Sequence, residues 1–142
     1  MKADNDSIQE LLRDLLKMAR EVRARTLVQD QRLRLRDVYS LNYYLARELH
    51  GRFPDLRIMV GDRLGEHGFV QHHWIEIPSA EVYVDPAADA LDPFQPVRAG
   101  KLSDQEFTST YRGGMDGNID VDDPRNRPDL LFKNKSAWDS EA

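Results

Sequence analysis

Residues 69–85, FVQHHWIEIPSAEVYVD, decide how this chain folds. A strand sends alternate side chains to opposite sides, so His72, Trp74 and Glu76 share one face while His73, Ile75 and Ile77 share the other, with His73 against the core. Pro78 and Ser79 turn the chain, and residues 81–85 return with Val82 and Val84 on one side. A hairpin loop of even length pairs odd positions with even ones. Tyr83 and Asp85 then join the face of His72, Trp74 and Glu76, and His72 and Asp85 become direct or diagonal neighbours, roughly 5 to 8 Å apart between Cβ atoms.

Upstream of this hairpin the period is helical. Val38, Leu41, Leu45 and Leu49 recur at three and four residues, with Asp37 as N-cap, Gly51 as C-terminal cap and Pro54 beyond. Residues 56–60 are a short apolar strand, and residues 61–68 a loop carrying glycines and Asp62. Further out, Ser7 and Glu10 make a capping box ahead of Ile8, Leu11, Leu12, Leu15, Met18, Ala19 and Val22, which predicts an amphipathic helix from about Ser7 to about Arg25. Its apolar stripe reads as a core face, with a homodimer contact as the alternative. Residues 26–36 are a connector.

Downstream, residues 86–100 read as irregular, with prolines at 86, 93 and 96. Ser103 and Glu106 open a short helix that stops at Gly113 and Gly114. Residues 115–142 are polar and proline-interrupted, a partly disordered or surface-draped tail in which only residues 130–132 and Trp138 look able to dock. The expected class is α+β, helices first and a small antiparallel sheet after, in one domain over residues 1–114.

Composition narrows the function. A chain of 142 residues is one domain's length. It lacks an apolar run of membrane-spanning length and the apolar segment of a signal peptide, so the expectation is a soluble, cytoplasmic protein without membrane contact. The absence of cysteine excludes disulfides, thiolate metal sites and a cysteine nucleophile. With 20 basic against 25 acidic residues, the arginines at 20, 23, 25, 32, 34 and 36 are read as a solvated helix face, not a nucleic-acid patch.

A carboxylate beside an imidazole can accept one ring proton and orient the ring, the part an aspartate plays in a catalytic triad. His72 and Asp85 are therefore the candidate catalytic pair. The run HHWIEIPSAEVYVDPAADALDPFQPV resembles the His and Asp half of the transglutaminase-like superfamily, whose papain-like fold carries a Cys–His–Asp triad. The resemblance covers about residues 36–97 and matches His72 to the histidine, Trp74 to the tryptophan and Asp85 to the third member. Ala88 and Asp89 fit the stretch that follows, where Ala87, Ala90 and Leu91 replace Thr, Gln and Phe.

Aligning VYSLNYYLAREL with the family's nucleophile helix puts Val38 where the cysteine belongs, with Asn42 and Leu45 in step. Valine cannot attack a carbonyl. Ser40 is the nearby hydroxyl, but it lies roughly 200° round the helix from Val38 and would depend on His72 as general base. Gln31, seven residues before Val38, could stand for an oxyanion donor.

Other chemistry fails on spacing. His67, His72 and Glu76, with Asp85 behind them, would be the metal set, yet His72 and Glu76 stand roughly 13 Å apart along a strand. The run DGNIDVDD from Asp116 starts like a calcium loop but has Val121 in place of the glycine and Arg127 in place of the glutamate. No phosphate-binding glycine fingerprint is present. Neither a metal nor a cofactor is expected.

The resemblance thus implies a domain without its nucleophile that binds a peptide, amide-bearing or protein ligand in a cleft lined by Val38, His72, Trp74 and Asp85, with Glu76 and Tyr83 beside them. The alternatives are a serine-variant hydrolase or acyltransferase using Ser40, His72 and Asp85, and an interaction protein dimerising through its first helix.

Overall fold

The computed structural model describes residues 5–27, 33–90 and 95–132. Helix α1 spans Asn5–Thr26 and buries Leu12, Leu15, Ala19 and Val22, so the stripe that could have served a dimer contact faces this chain's own core. Helix α2 spans Leu35–Leu49. It starts earlier than expected because Asp37 is not its N-cap: the Asp37 carboxylate accepts the Arg34 backbone N–H at 2.8 Å from inside the first turn. Gly51 follows the helix without a positive φ, so the C-terminal cap is not the left-handed kind that favours glycine.

Five antiparallel strands follow: β1 (Arg57–Gly65), β2 (Gly68–Ile77), β3 (Val82–Asp85), β4 (Arg98–Lys101) and β5 (Tyr111–Asp116), in the spatial order β4-β3-β2-β1-β5. The class is α+β, as the alternation and helical periods require. Ile75 pairs with Ile58 on one side and Val84 on the other, and these residues form the apolar face on which α1 and α2 pack. The opposite face carries Met59, Trp74, Tyr83 and Tyr111, covered by Leu102 and by Phe107 of the short helix α3 (Gln105–Thr110).

Three readings are corrected. Residues 61–65 are not loop; they continue β1, and only Glu66 and His67 turn the chain before Gly68. The region 86–100 is not wholly irregular, since it ends in β4. Gly113 and Gly114 do not stop a helix but lie in β5, beside a bulge opposite residues 60–62. Gly113 takes a left-handed φ at that bulge, and the reason for Gly114 is the Trp74 indole. A Cβ on Gly61 or Gly114 would come within 2.6 or 2.8 Å of indole carbons, so the ring lies flat only over bare backbone.

Residues 117–132 of the polar C-terminal stretch pack against the domain. Val121 enters the core, a 3-10 turn forms at Pro124–Asn126, and helix α4 spans Pro128–Leu131. The Tyr43 hydroxyl donates to the Val121 carbonyl at 3.0 Å and the Tyr39 hydroxyl to that of Asn126 at 2.7 Å. Trp138, Gln31 and Leu91 lie outside the described residues.

Candidate functional site

The β2–β3 register sets Glu76 across from Tyr83; continued two residues further, it places Trp74 opposite Asp85 and His72 on the diagonal. His72 Nε2 and Asp85 Oδ2 are 2.9 Å apart, and both side chains are completely buried. Asp85 gathers further donors. The Tyr111 hydroxyl reaches Oδ2 at 2.7 Å, the Ala87 backbone N–H reaches Oδ1 at 2.9 Å, and the Arg63 guanidinium stands 3.8 Å from Oδ2. Burial opposes the charge on Asp85, but His72, Tyr111 and Arg63 outweigh it and hold the carboxyl below its ordinary range. The same pocket drives the Tyr111 phenol far up, first by burial and then by the Asp85 charge.

With Asp85 ionised, the Nε2 proton of His72 points at it and Nδ1 becomes the free acceptor. In a triad that second nitrogen faces the nucleophile. Here Nδ1 is buried without a hydrogen-bond partner, as are Nε and Nη1 of Arg63. Unmade buried bonds of this kind each cost about 1 to 3 kcal/mol.

Trp74, Glu76 and Tyr83 lie on the face the alternation predicted. The Trp74 indole N–H donates to Glu76 Oε2 at 2.9 Å, and the Tyr83 ring stands 5.4 Å from that of Tyr111. Val38 and Ser40 do not join them. Val38 is fully buried in the cluster on the α1 and α2 side of the sheet. Asn42 Nδ2 donates to the Val38 carbonyl at 2.8 Å and to the His73 carbonyl at 3.3 Å, fastening this turn of α2 over His73. The His73 ring meets Tyr39 edge-on at 6.0 Å, and burial, helped by His72, pushes its pKa down to about 4. The histidine beneath the start of α2 is therefore His73, while His72 points out of the other side of the sheet. Ser40 is further removed, its hydroxyl turned back onto the Arg36 carbonyl at 2.6 Å.

Two surface grooves among the described residues also avoid the pair. One of about 370 Å³ is lined by Arg20, Tyr83, Pro96, Arg98 and Glu106, and another lies between Thr26, Ser40, Tyr44 and Pro128; neither includes His72 or Asp85. His67 sits at the exposed β1–β2 turn, away from His72, and among the described residues no group of three or more His, Asp or Glu side chains could hold a metal ion. No helix among these residues is long and apolar enough to cross a membrane.

Arg63 and Tyr111 are the members the sequence reading missed. Arg63 fell within the supposed loop, although its spacing from Met59 and Gly61 continues the period of two. Tyr111 carried no local signal, because only pairing with Arg63 across β1 and β5 brings it to Asp85. Compared with family models, curated proteins and solved structures, the chain has no match.

Proposed function

We propose that this chain is a catalytically silent domain that binds a peptide or protein segment without turning it over. The observation that carries this reading is the placement of the pair relative to any nucleophile. His72 and Asp85 are completely buried, with the Tyr111 hydroxyl on the carboxylate, whereas Val38 and the Ser40 hydroxyl stand on the far side of the sheet. An oriented imidazole without a reacting atom in reach positions nothing, and its remaining contribution is to the fold. Surface grooves remain open. That lined by Arg20, Tyr83, Pro96, Arg98 and Glu106 offers both charge signs, an aromatic edge and apolar carbon, a surface suited to a peptide.

Two measurements test the reading. In Val38→Cys, the only thiol of the chain should resist a disulfide reagent until urea unfolds the protein, because position 38 is buried away from His72. A rapidly reacting thiol that slows in His72→Ala would overturn this, as would a fluorophosphonate that labels wild type but not Ser40→Ala. Presented with a peptide array, the protein should retain a subset and return every peptide at unchanged mass. Cleaved or cross-linked peptides, or none retained, would count against binding without turnover.

A further inference from the structure

Residues 117–127, GNIDVDDPRNR, lie across α2 in the manner of a bound peptide. The Tyr39 and Tyr43 hydroxyls, one helical turn apart, take the carbonyls of Asn126 and Val121. Val121 is driven into the core and Ile119 packs partly against it, while Asp120 and Asp122 remain in solvent. The Asp122 carboxylate also stands 3.9 Å from the His50 imidazole. Most of the segment's other polar bonds close on itself. Asp120 accepts the N–H groups of Asp122 and Asp123, Asp123 accepts that of Asn126, and the Asn126 amide returns to the Asp120 carbonyl at 2.9 Å. The remaining ties to the domain are few: the Gly117 N–H donates to the Ile58 carbonyl at 2.9 Å where the segment begins, two carbonyls take the tyrosine hydroxyls, and Val121 and Ile119 supply the apolar contact.

We propose that this segment is a tethered pseudo-ligand occupying a peptide site on α2, and that the site's ligand in trans is an extended acidic peptide with a β-branched aliphatic anchor. The two tyrosine hydroxyls supply sequence-independent grip on main-chain carbonyls, and the Val121 socket and neighbouring His50 supply preference for the anchor and its acidic neighbours. The tether keeps the site filled at an effective concentration of about millimolar, so a competing segment must bind tightly or arrive where the strap has been loosened. The inference rests on the peptide-binding reading and adds to it a second surface, on α2.

The full-length protein tests it in two ways. In native-state hydrogen exchange, the amides of residues 119–126 should exchange at least tenfold faster than those of β2, by an opening that leaves the sheet protected. Exchange at the rate of β2 overturns the proposal. Fluorescein-labelled GNIDVDDPRNR should bind full-length Val121→Asp, whose own strap is unseated, at least tenfold more tightly than wild type, and the same peptide carrying Asp for Val should not bind. Failure of the peptide on a folded Val121→Asp protein overturns the proposal. Global unfolding of Val121→Asp does so too, since the strap would then be part of the folding core. Either failure leaves the array outcome standing, because other grooves can hold those peptides.

Discussion

The two faces of the sheet solve burial in opposite ways. Toward α1 and α2, Ile58, Ile75, Ile77, Val82 and Val84 meet leucines in an apolar interior, where polar groups such as Asn42 and His73 are few. On the other face, Asp85 collects His72, Tyr111, Arg63 and a backbone N–H under little more than α3 and a few aromatic rings. The first interior is held by many small, interchangeable terms. The second depends on one carboxylate, and removing it strands every group it serves.

That contrast is broken most strongly at its centre. Asp85→Ala leaves a buried guanidinium without its counter-charge, and urea titration should show a loss of about 3 to 5 kcal/mol. Ile75→Val on the apolar face should cost only about 0.5 to 1.5 kcal/mol. Adding Arg63→Met to Asp85→Ala should recover part of the loss; a strictly additive double variant would mean that the two side chains do not share one network.

Acid separates the faces next. His73, neutral in the fold with a pKa of about 4, binds its proton near its ordinary value of about 6.5 once unfolded. The unfolded state thus holds more protons through that window. Stability is full above about pH 6.5 and declines by roughly 3 kcal/mol as pH falls to about 4. Asp85 has the opposite chemistry and a lower window: its depressed folded pKa stabilises above the ordinary carboxylate value and is lost as pH falls below it. His73→Gln should flatten the upper limb of the pH–stability curve and leave the acid limb in place. An unchanged upper limb would remove His73 from the account.

The smallest effect sharpens why the polar face is glycine-lined. Gly61→Ala must displace the Trp74 indole or the backbone of β5 and should cost about 1 to 3 kcal/mol. Gly51→Ala, where nothing lies within 4 Å of the added carbon, should change stability by less than about 0.5 kcal/mol. Equal melting points for the two variants would show that the indole clearance is not needed.

Much of this was legible in local patterns. The helical stripes of α1 and α2, and the shared face of His72, Trp74, Glu76, Tyr83 and Asp85, follow from periods of 3.6 and two. Where such arguments miscarried, a distant partner set the outcome. Gly113 and Gly114 look like a helix stop, but Gly113 takes a left-handed φ at the β5 bulge and the small size of Gly114 answers Trp74, forty residues earlier. Residues 115–132 look like a polar tail, yet the hydroxyls of Tyr39 and Tyr43 hold them. Strands β4 and β5 are short and glycine-bearing, and their pairing is decided by β3 and β1.

Alternation along a strand is a covalent property, so the chain alone determined that His72 and Asp85 would lie on one face within reach of each other. It determined equally that no thiol stands ready to use them. Which side of the sheet the second helix covers is not written in either period, because both sides carry enough buried apolar surface to accept it. Packing decided that α2 would rest over Ile75 and His73, and the pair consequently became the charged centre of the opposite interior, with Arg63 and Tyr111 drawn in from strands that meet only in three dimensions.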